Sequence, residues 1–136
     1  MALFLWSDEY SVGVDSLDTD HIIIASLINH LDDARCAAKN RETVALAILK
    51  ALISYARAHF RREERLMEKH GYPDVARHRD EHQLLEGLLT ELYVEYERTP
   101  DPETHREIME LLNHWVVDHI LKIDMHYRSH MPRDVI

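Results

Sequence analysis

Apolar residues recur along this chain at helical spacing in four separate stretches, with polar breaks between them. Ile24, Ile28 and Leu31 set the first period, which runs from an expected cap at Asp18 to about Ala38. Lys39-Asn40 interrupts it, and Asn40 is the expected cap of a second, longer helix with Ile48, Leu52, Tyr55, His59, Glu63 and Leu66 on one face. That helix should stop at His70-Gly71, where glycine tolerates the left-handed backbone of a C-terminal stop. Pro73 or Asp74 opens a third helix carrying Val75, His78, His82, Leu85, Leu89, Leu92 and Tyr96. Thr99-Pro100-Asp101-Pro102 is a clear break, with Asp101 as cap and Pro102 in the first helical position. Ile108, Leu111, Leu112, Trp115, His119 and Ile120 mark the fourth helix. Residues 1–17 have no helical period and read as an arm laid across the fold, and the polar tail from about Arg128 is expected to fray.

Four helices with short connections imply antiparallel neighbours, so the expected fold is all-α: an up-down-up-down four-helix bundle with an N-terminal arm. The expected organisation is one domain, with the arm at 1–17, the bundle at 18–130 and a tail at 131–136. Composition agrees: 46% of the 136 residues are hydrophobic, and only 3 are Gly and 4 Pro, a mix that favours packed helices over a β-sandwich or a disordered chain. The net charge of −9 argues against nucleic acid or an anionic membrane as partner. One cysteine, Cys36, excludes an internal disulfide framework and suits a reducing compartment. No signal-like segment and no apolar run approaching the roughly 18 residues of a membrane span stand out, so a cytoplasmic protein is expected.

The outlier is histidine, with 11 copies. His21, His59, Glu63, His78, His82, His119 and Asp124 lie on the four helical stretches, and antiparallel alternation carries all four regions to one end of the bundle. Buried imidazoles and carboxylates are costly unless paired, and a metal cluster pairs them. Singly the spacings say little, since His78 and His82 alone would suit a solvated helix face. They are in phase with Val75, Leu85 and Leu89, however, and a carboxylate such as Glu63 on a buried stripe is rare. A hydrogen-bonded Glu–His network without metal is the alternative. His119 and Asp124 are five residues apart, roughly 140° around an ideal helix, so the helix must end or distort between them. His30 and His114 fall off the stripes, His105 lies far from the cluster level, and His126 and His130 belong to the tail. His70 suits an interaction with the helix end. Arg57, Arg61, Arg62 and Arg65, with Glu64 and Glu68 nearby, read as a solvated face.

These residues resemble the bacterial hemerythrins over nearly the whole chain. Trp6…Val12-Gly13…Leu17-Asp18-x-x-His21 is similar to the family's entry arm and first ligand. His59-Phe60-Arg61-Arg62-Glu63-Glu64 resembles its HxxxE element, and Gly71-Tyr72-Pro73…His78…Glu81-His82 its second ligand pair. Trp115-Val116-Val117-Asp118-His119-Ile120…Asp124…Tyr127 resembles the closing element. The resemblance implies a non-haem centre of two iron ions. His78, His82 and His119 would hold one iron and His21 and His59 the other, with Glu63, Asp124 and an oxo or hydroxo group as bridges. It implies reversible dioxygen binding at the two-histidine iron, inside an apolar lining of Ile24, Phe60, Trp115, Val116 and Ile120.

Histidine ligands usually donate their distal N–H to a carboxylate or carbonyl, and Asp20 and Glu64 are the candidates, with Tyr127 bracing a bridging carboxylate. Asp20 stands where the family often has Gln, and Val116 where it often has Leu. Added charge and looser packing near the open iron would both speed autoxidation. Leu121 replaces a frequent Pro. An oxygen carrier, reservoir or sensor is the leading reading, as a monomer, with any delivery or signalling handled by a separate protein. A di-iron enzyme reducing peroxide, dioxygen or nitric oxide is the second reading. Iron storage is the third, and the absence of any Glu-x-x-His pair counts against it.

Overall fold

The structure is a computed structural model, and it describes residues 11–36, 39–115 and 119. Four helices follow in order: α1 (Asp15–Ala34), α2 (Arg41–Lys69), α3 (Val75–Arg98) and α4 (Pro102–Trp115). Each packs on its neighbour in sequence, and α4 closes back on α1, the cyclic arrangement of an up-down-up-down four-helix bundle.

Local chemistry explains the helix ends. At the end of α2 the Tyr72 N–H donates to the Met67 carbonyl and the Gly71 N–H to that of Glu68. With Gly71 at φ 69°, this is a Schellman stop. Its hydrophobic contact is also present, because Met67 and Tyr72 share one buried cluster. At α4, the Asp101 Oδ1 accepts from the N–H groups of Glu103 and Thr104 at 2.7 and 3.2 Å, as the sequence predicts.

The helix boundaries and one buried face need correction: Asn40 precedes α2 in left-handed backbone (φ 56°) without a side-chain cap hydrogen bond, Asp74 precedes α3 likewise without one, and α1 ends at Ala34 instead of near Ala38. The first helix starts at Asp15, three residues before Asp18, with Val14 in the cap position and no side-chain cap. Asp18 instead turns back on the arm: its carboxylate accepts from the Val12 N–H at 2.9 Å and from the Ser11 hydroxyl. Arm residues Val12 and Val14 bury their side chains, so α1 is positioned by packing as well as by hydrogen bonds. The buried face that differs is that of α2. Its fully buried line runs through Ala45, Leu49, Leu52, Ala56, His59, Glu63 and Met67, while Ile48, Tyr55 and Leu66 flank it. The helix faces both α1 and α3, which broadens the stripe beyond one row. Part of α2 is also long and apolar enough, by length and composition, to cross a bilayer, which the sequence reading did not anticipate. Its buried face carries His59, Glu63 and Glu64, and it is packed between two helices, so it is a core helix.

The apolar interior forms two clusters. The larger contains Ile24, Ile28, Leu52, Phe60, Leu85, Leu89, Leu112 and Trp115. The smaller, under the arm, contains Val12, Val14, Leu17, Met67 and Tyr72. Along α1, His21 lies between Leu17 of one cluster and Ile24 of the other; along α2, Glu63 lies between Met67 and Phe60. A layer of polar side chains is therefore enclosed between two apolar ones.

Candidate metal centre

Six of the seven expected donors meet in that layer. His21, His59, Glu63 and His82 are fully buried, and His78 and His119 nearly so. Donor atoms of Glu63, His78, His82 and His119 lie within 4.8 Å of one another, as do those of His21, His59 and Glu63. The two groups share only Glu63. Its Oε2 is 3.2 Å from His59 Nε2 and 3.5 Å from His21 Nε2. Its Oε1 is 3.1 Å from His82 Nε2 and 3.7 Å from His119 Nε2. One carboxylate thus presents one oxygen to each histidine set, the disposition of a bridge between two cations.

The rings are packed against one another as well. His21 Nε2 and His59 Nε2 are 3.1 Å apart, and His82 Nε2 and His119 Nε2 are 3.0 Å apart. Nitrogens aimed at one another across so short a gap share a target. Burial alone would raise the pKa of Glu63, but the charge of His59 and hydrogen bonds from His119, His21 and His59 hold it well below the usual carboxylate range. Burial acts against a charged His59, yet Glu63 and Asp20 prevail and raise its pKa.

Carboxylates outside the layer fix the ring orientations. His59 Nδ1–H donates to Asp20 Oδ2 at 2.9 Å, and His82 Nδ1–H donates to Glu64 Oε2 at 2.7 Å. An ionised carboxylate can only accept, so each Nδ1 keeps its proton and Nε2 is the nitrogen turned to the interior, where it meets Glu63 in the metal-free layer and could ligate a metal on losing any proton it carries. These are the two carboxylates singled out from sequence. Arginines meet both. Arg62 forks onto Asp20, Nε to Oδ2 and a terminal nitrogen to Oδ1, each at 2.8 Å, and the Tyr55 hydroxyl donates to the same carboxylate at 2.8 Å. Arg61 donates to both oxygens of Glu64 at 2.9 and 3.1 Å and reaches Glu86 at 2.8 Å.

The solvated-face expectation for Arg61 and Arg62 is only half met: Arg61 is exposed and Arg62 partly so, but both guanidinium groups end on buried carboxylates. The long side chains run from the surface onto buried carboxylates, which a charge-pattern argument does not see. A signal was present: Tyr55, His59 and Arg62 are spaced i, i+4, i+7, which aligns them on the side of α2 that faces α1. The Asp20 charge is also not the uncompensated one that the autoxidation expectation assumed. Burial would raise the pKa of Asp20, but hydrogen bonds from His59, Arg62 and Tyr55 outweigh it and hold the carboxyl far below its ordinary value.

Three of the five expected lining residues are described, and all are buried in the larger cluster: Ile24, Phe60 and Trp115. Phe60 stacks on His82 with ring centroids 4.0 Å apart and planes 10° apart. It also lies 5.8 Å from His59 and 6.0 Å from His119, so it shields both histidine sets and not the two-histidine side alone. Asp124, Val116, Ile120 and Tyr127 fall outside the described residues. His105, set aside as remote from the cluster, is buried and donates from Nε2 to the Leu31 carbonyl at 3.0 Å.

The donor set fits a pair of first-row transition ions: imidazole nitrogens on both sides and one shared carboxylate, all buried. Comparison with known proteins agrees. Residues 12–129 match the family model of the hemerythrin HHE cation binding domain. The chain is 34% identical over 128 residues to the bacteriohemerythrin of Methylococcus capsulatus, spanning 93% of this chain and 95% of that one. A Pseudomonas aeruginosa bacteriohemerythrin is 33% identical over 128 residues, 93% of this chain and 80% of its own length. Among solved structures, the crystal structure of a hemerythrin point mutant superposes with a TM-score of 0.85 at 31% identity, covering 96% of this chain and 98% of that one. Wild-type hemerythrin gives 0.82 at 31% identity, covering 94% and 97%. Family model, relatives and fold converge over almost the full length, and the chain belongs to the hemerythrin family.

Proposed function

We propose that this chain binds dioxygen reversibly at a non-haem centre of two iron ions. The observation that carries the reading is Glu63, wholly buried, with one oxygen toward His21 and His59 and the other toward His82 and His119. In this reading His21 and His59 would hold one iron, His78, His82 and His119 would hold the other, and Glu63 and Asp124 would supply the carboxylates that both share. The iron pair, when bound, supplies the two electrons that reversible dioxygen binding takes up.

The protein's own contribution is the surroundings. His59 and His82, with Nδ1 protons committed to Asp20 and Glu64, keep Nε2 directed inward without reorganisation. Glu63, held ionised, offsets cationic charge that the bundle interior could not otherwise accommodate. Ile24, Phe60 and Trp115 keep water and stray protons away from the centre, and so oppose irreversible oxidation. Unequal histidine sets, two against three, would leave an iron on the side of His21 and His59 the room to take a ligand.

The family is generally soluble, and we read this member as a cytoplasmic monomer that passes oxygen or an oxygen signal to a separate protein. Its one cysteine, exposed and unpaired, suits a reducing compartment. The test is spectroscopic. The purified, iron-loaded protein is reduced anaerobically, exposed to oxygen and swept with inert gas while its visible charge-transfer band is followed. A band that appears and disappears over repeated cycles supports oxygen binding. Rapid one-way oxidation, or sustained consumption of oxygen, peroxide or nitric oxide, would replace this reading with an enzymatic one.

A further inference from the structure

The two adjacent arginines of α2 reach to opposite sides of the centre. Arg61 goes to Glu64 behind His82, and Arg62 goes to Asp20 behind His59. Each histidine is thus the inner member of a strand that runs arginine, carboxylate, imidazole. The two strands are unequal in their caps. Glu64 is shared, taking Arg61 and, at 3.6 Å, Arg79, and Arg61 is itself divided with Glu86. Asp20 takes the whole fork of one guanidinium, and among the described residues Arg62 pairs with no other carboxylate. Both Asp20 oxygens are filled, Oδ1 by Arg62 and Tyr55 and Oδ2 by Arg62 and His59. The guanidinium carbon of Arg62 also lies 5.7 Å from the centroid of the Tyr55 ring, so its orientation is fixed from two directions.

The side chain of Asp20 is 5% exposed and that of His59 is fully buried. At such a site a single uncompensated charge acts over several ångströms with little screening. An anionic hydrogen-bond acceptor makes an imidazole a stronger donor through its other nitrogen and favours the higher oxidation state of a metal held there. A cation fixed on the far side of that acceptor withdraws part of the effect. Arg62 is the only arginine in contact with Asp20 among the described residues, so it is the one cation there that, beside the Tyr55 hydroxyl, sets how much of the Asp20 charge His59 feels.

We propose that Arg62 is a positioning and charge-tuning residue for the two-histidine iron, acting through Asp20 and His59, with Tyr55 holding the carboxylate in register. The proposal rests on the di-iron reading above and deepens it: Asp20 pulls the reduction potential of that site down, and Arg62 restores it. The pair makes oxygen retention a property of α1 and α2 jointly.

The experiment measures the midpoint potential of the iron-loaded protein by spectroelectrochemistry in wild type, Asp20→Asn, Arg62→Met and the double variant, with iron content and far-ultraviolet circular dichroism recorded for each. Asp20→Asn should move the potential in the positive direction and Arg62→Met in the negative direction. The double variant should stay close to Asp20→Asn, because without the carboxylate charge Arg62 has nothing left to attenuate; equal and opposite shifts that simply add would mean that Arg62 does not act through Asp20. Arg62→Met should also shorten the lifetime of the oxygenated form, and Arg62→Lys, which keeps the charge but not the fork, should recover part of the loss. A merely structural role would loosen the site in both single variants and shift their potentials the same way, and that result overturns the proposal. Where Arg62→Met does not fold, Arg62→Lys and Tyr55→Phe decide: unchanged potentials in both refute the tuning role. Wild-type protein that holds fewer than two irons would instead sink the di-iron reading itself.

Discussion

At the scale of single residues, burial with a named partner separates a side chain at the centre from one that merely has the right chemistry. His105 illustrates this. It is 5% exposed, its Nε2–H serves the Leu31 carbonyl, and its ring meets Tyr96 edge-on at 5.7 Å. Burial lowers its pKa below the ordinary 6.5, against the pull of the Leu31 carbonyl. A histidine depressed in the folded state stabilises most above its unfolded pKa, and that stability is lost as pH falls through the lowered folded value. His105→Leu should therefore cost about 1–3 kcal/mol at pH 8, where it strands the Leu31 carbonyl, and progressively less toward pH 5. Urea titrations of both proteins across that range check it, and a pH-independent difference would refute it. Metal loss at low pH affects both proteins alike and cancels in the difference. The six described donors were legible in the sequence because a carboxylate or imidazole on an apolar stripe stands out against its neighbours. The roles of Arg62 and Tyr55 were harder to read: Tyr55 passes for an apolar member of the stripe and Arg62 for a solvated flank, and only their i, i+4, i+7 spacing with His59 marks them.

Among elements, two ends follow from their residue types and the others do not: Asn40 and Asp74 make no side-chain cap hydrogen bond. Asp101 caps α4 through its carboxylate, and Gly71 ends α2 in the left-handed region, both as the residue types dictate. Asp101→Ala should cost about 1 kcal/mol through the lost cap. Gly71→Ala should cost a similar amount, about 1 kcal/mol, because a Cβ there meets nothing within 4 Å and only the backbone conformation is penalised. Each change should lower the melting temperature by roughly 3–5 °C at unchanged iron content. A much larger drop for Gly71→Ala would mean that the α2–α3 turn is packed more tightly than its open surroundings indicate. The start of α1 was misplaced because Asp18 looks like a cap. Its carboxylate satisfies the Val12 N–H upstream of the helix, a long-range use of a residue type that usually acts locally. The α2 face was misdrawn because one helix between two partners buries more than a single heptad row, so Ile48 and Leu66 became flanks to Leu49 and Met67.

For the whole molecule, the decisive arrangement is a charged layer between two apolar clusters, with the larger core on one side and the arm-covered cluster of Val12, Val14, Leu17, Met67 and Tyr72 on the other. Neither cluster can relax to hydrate Glu63 without opening the bundle, so ions in that layer are part of what makes the end of the molecule stable. Chelating the iron from the native protein should lower its melting temperature by about 10 °C or more, the equivalent of several kcal/mol. The loss should also be local. Hydrogen exchange in the iron-free protein should quicken first at 12–21 and 59–67, where the arm and the end of α2 enclose the layer. The opposite end, around Leu49, Leu89 and Ile108, lies in the larger core and should keep its protection until global unfolding. Uniform loss of protection would mean that the bundle opens as one unit and that the arm cluster adds no separate stability. Equal melting temperatures with and without iron would mean that Glu63 and its imidazoles satisfy one another without metal.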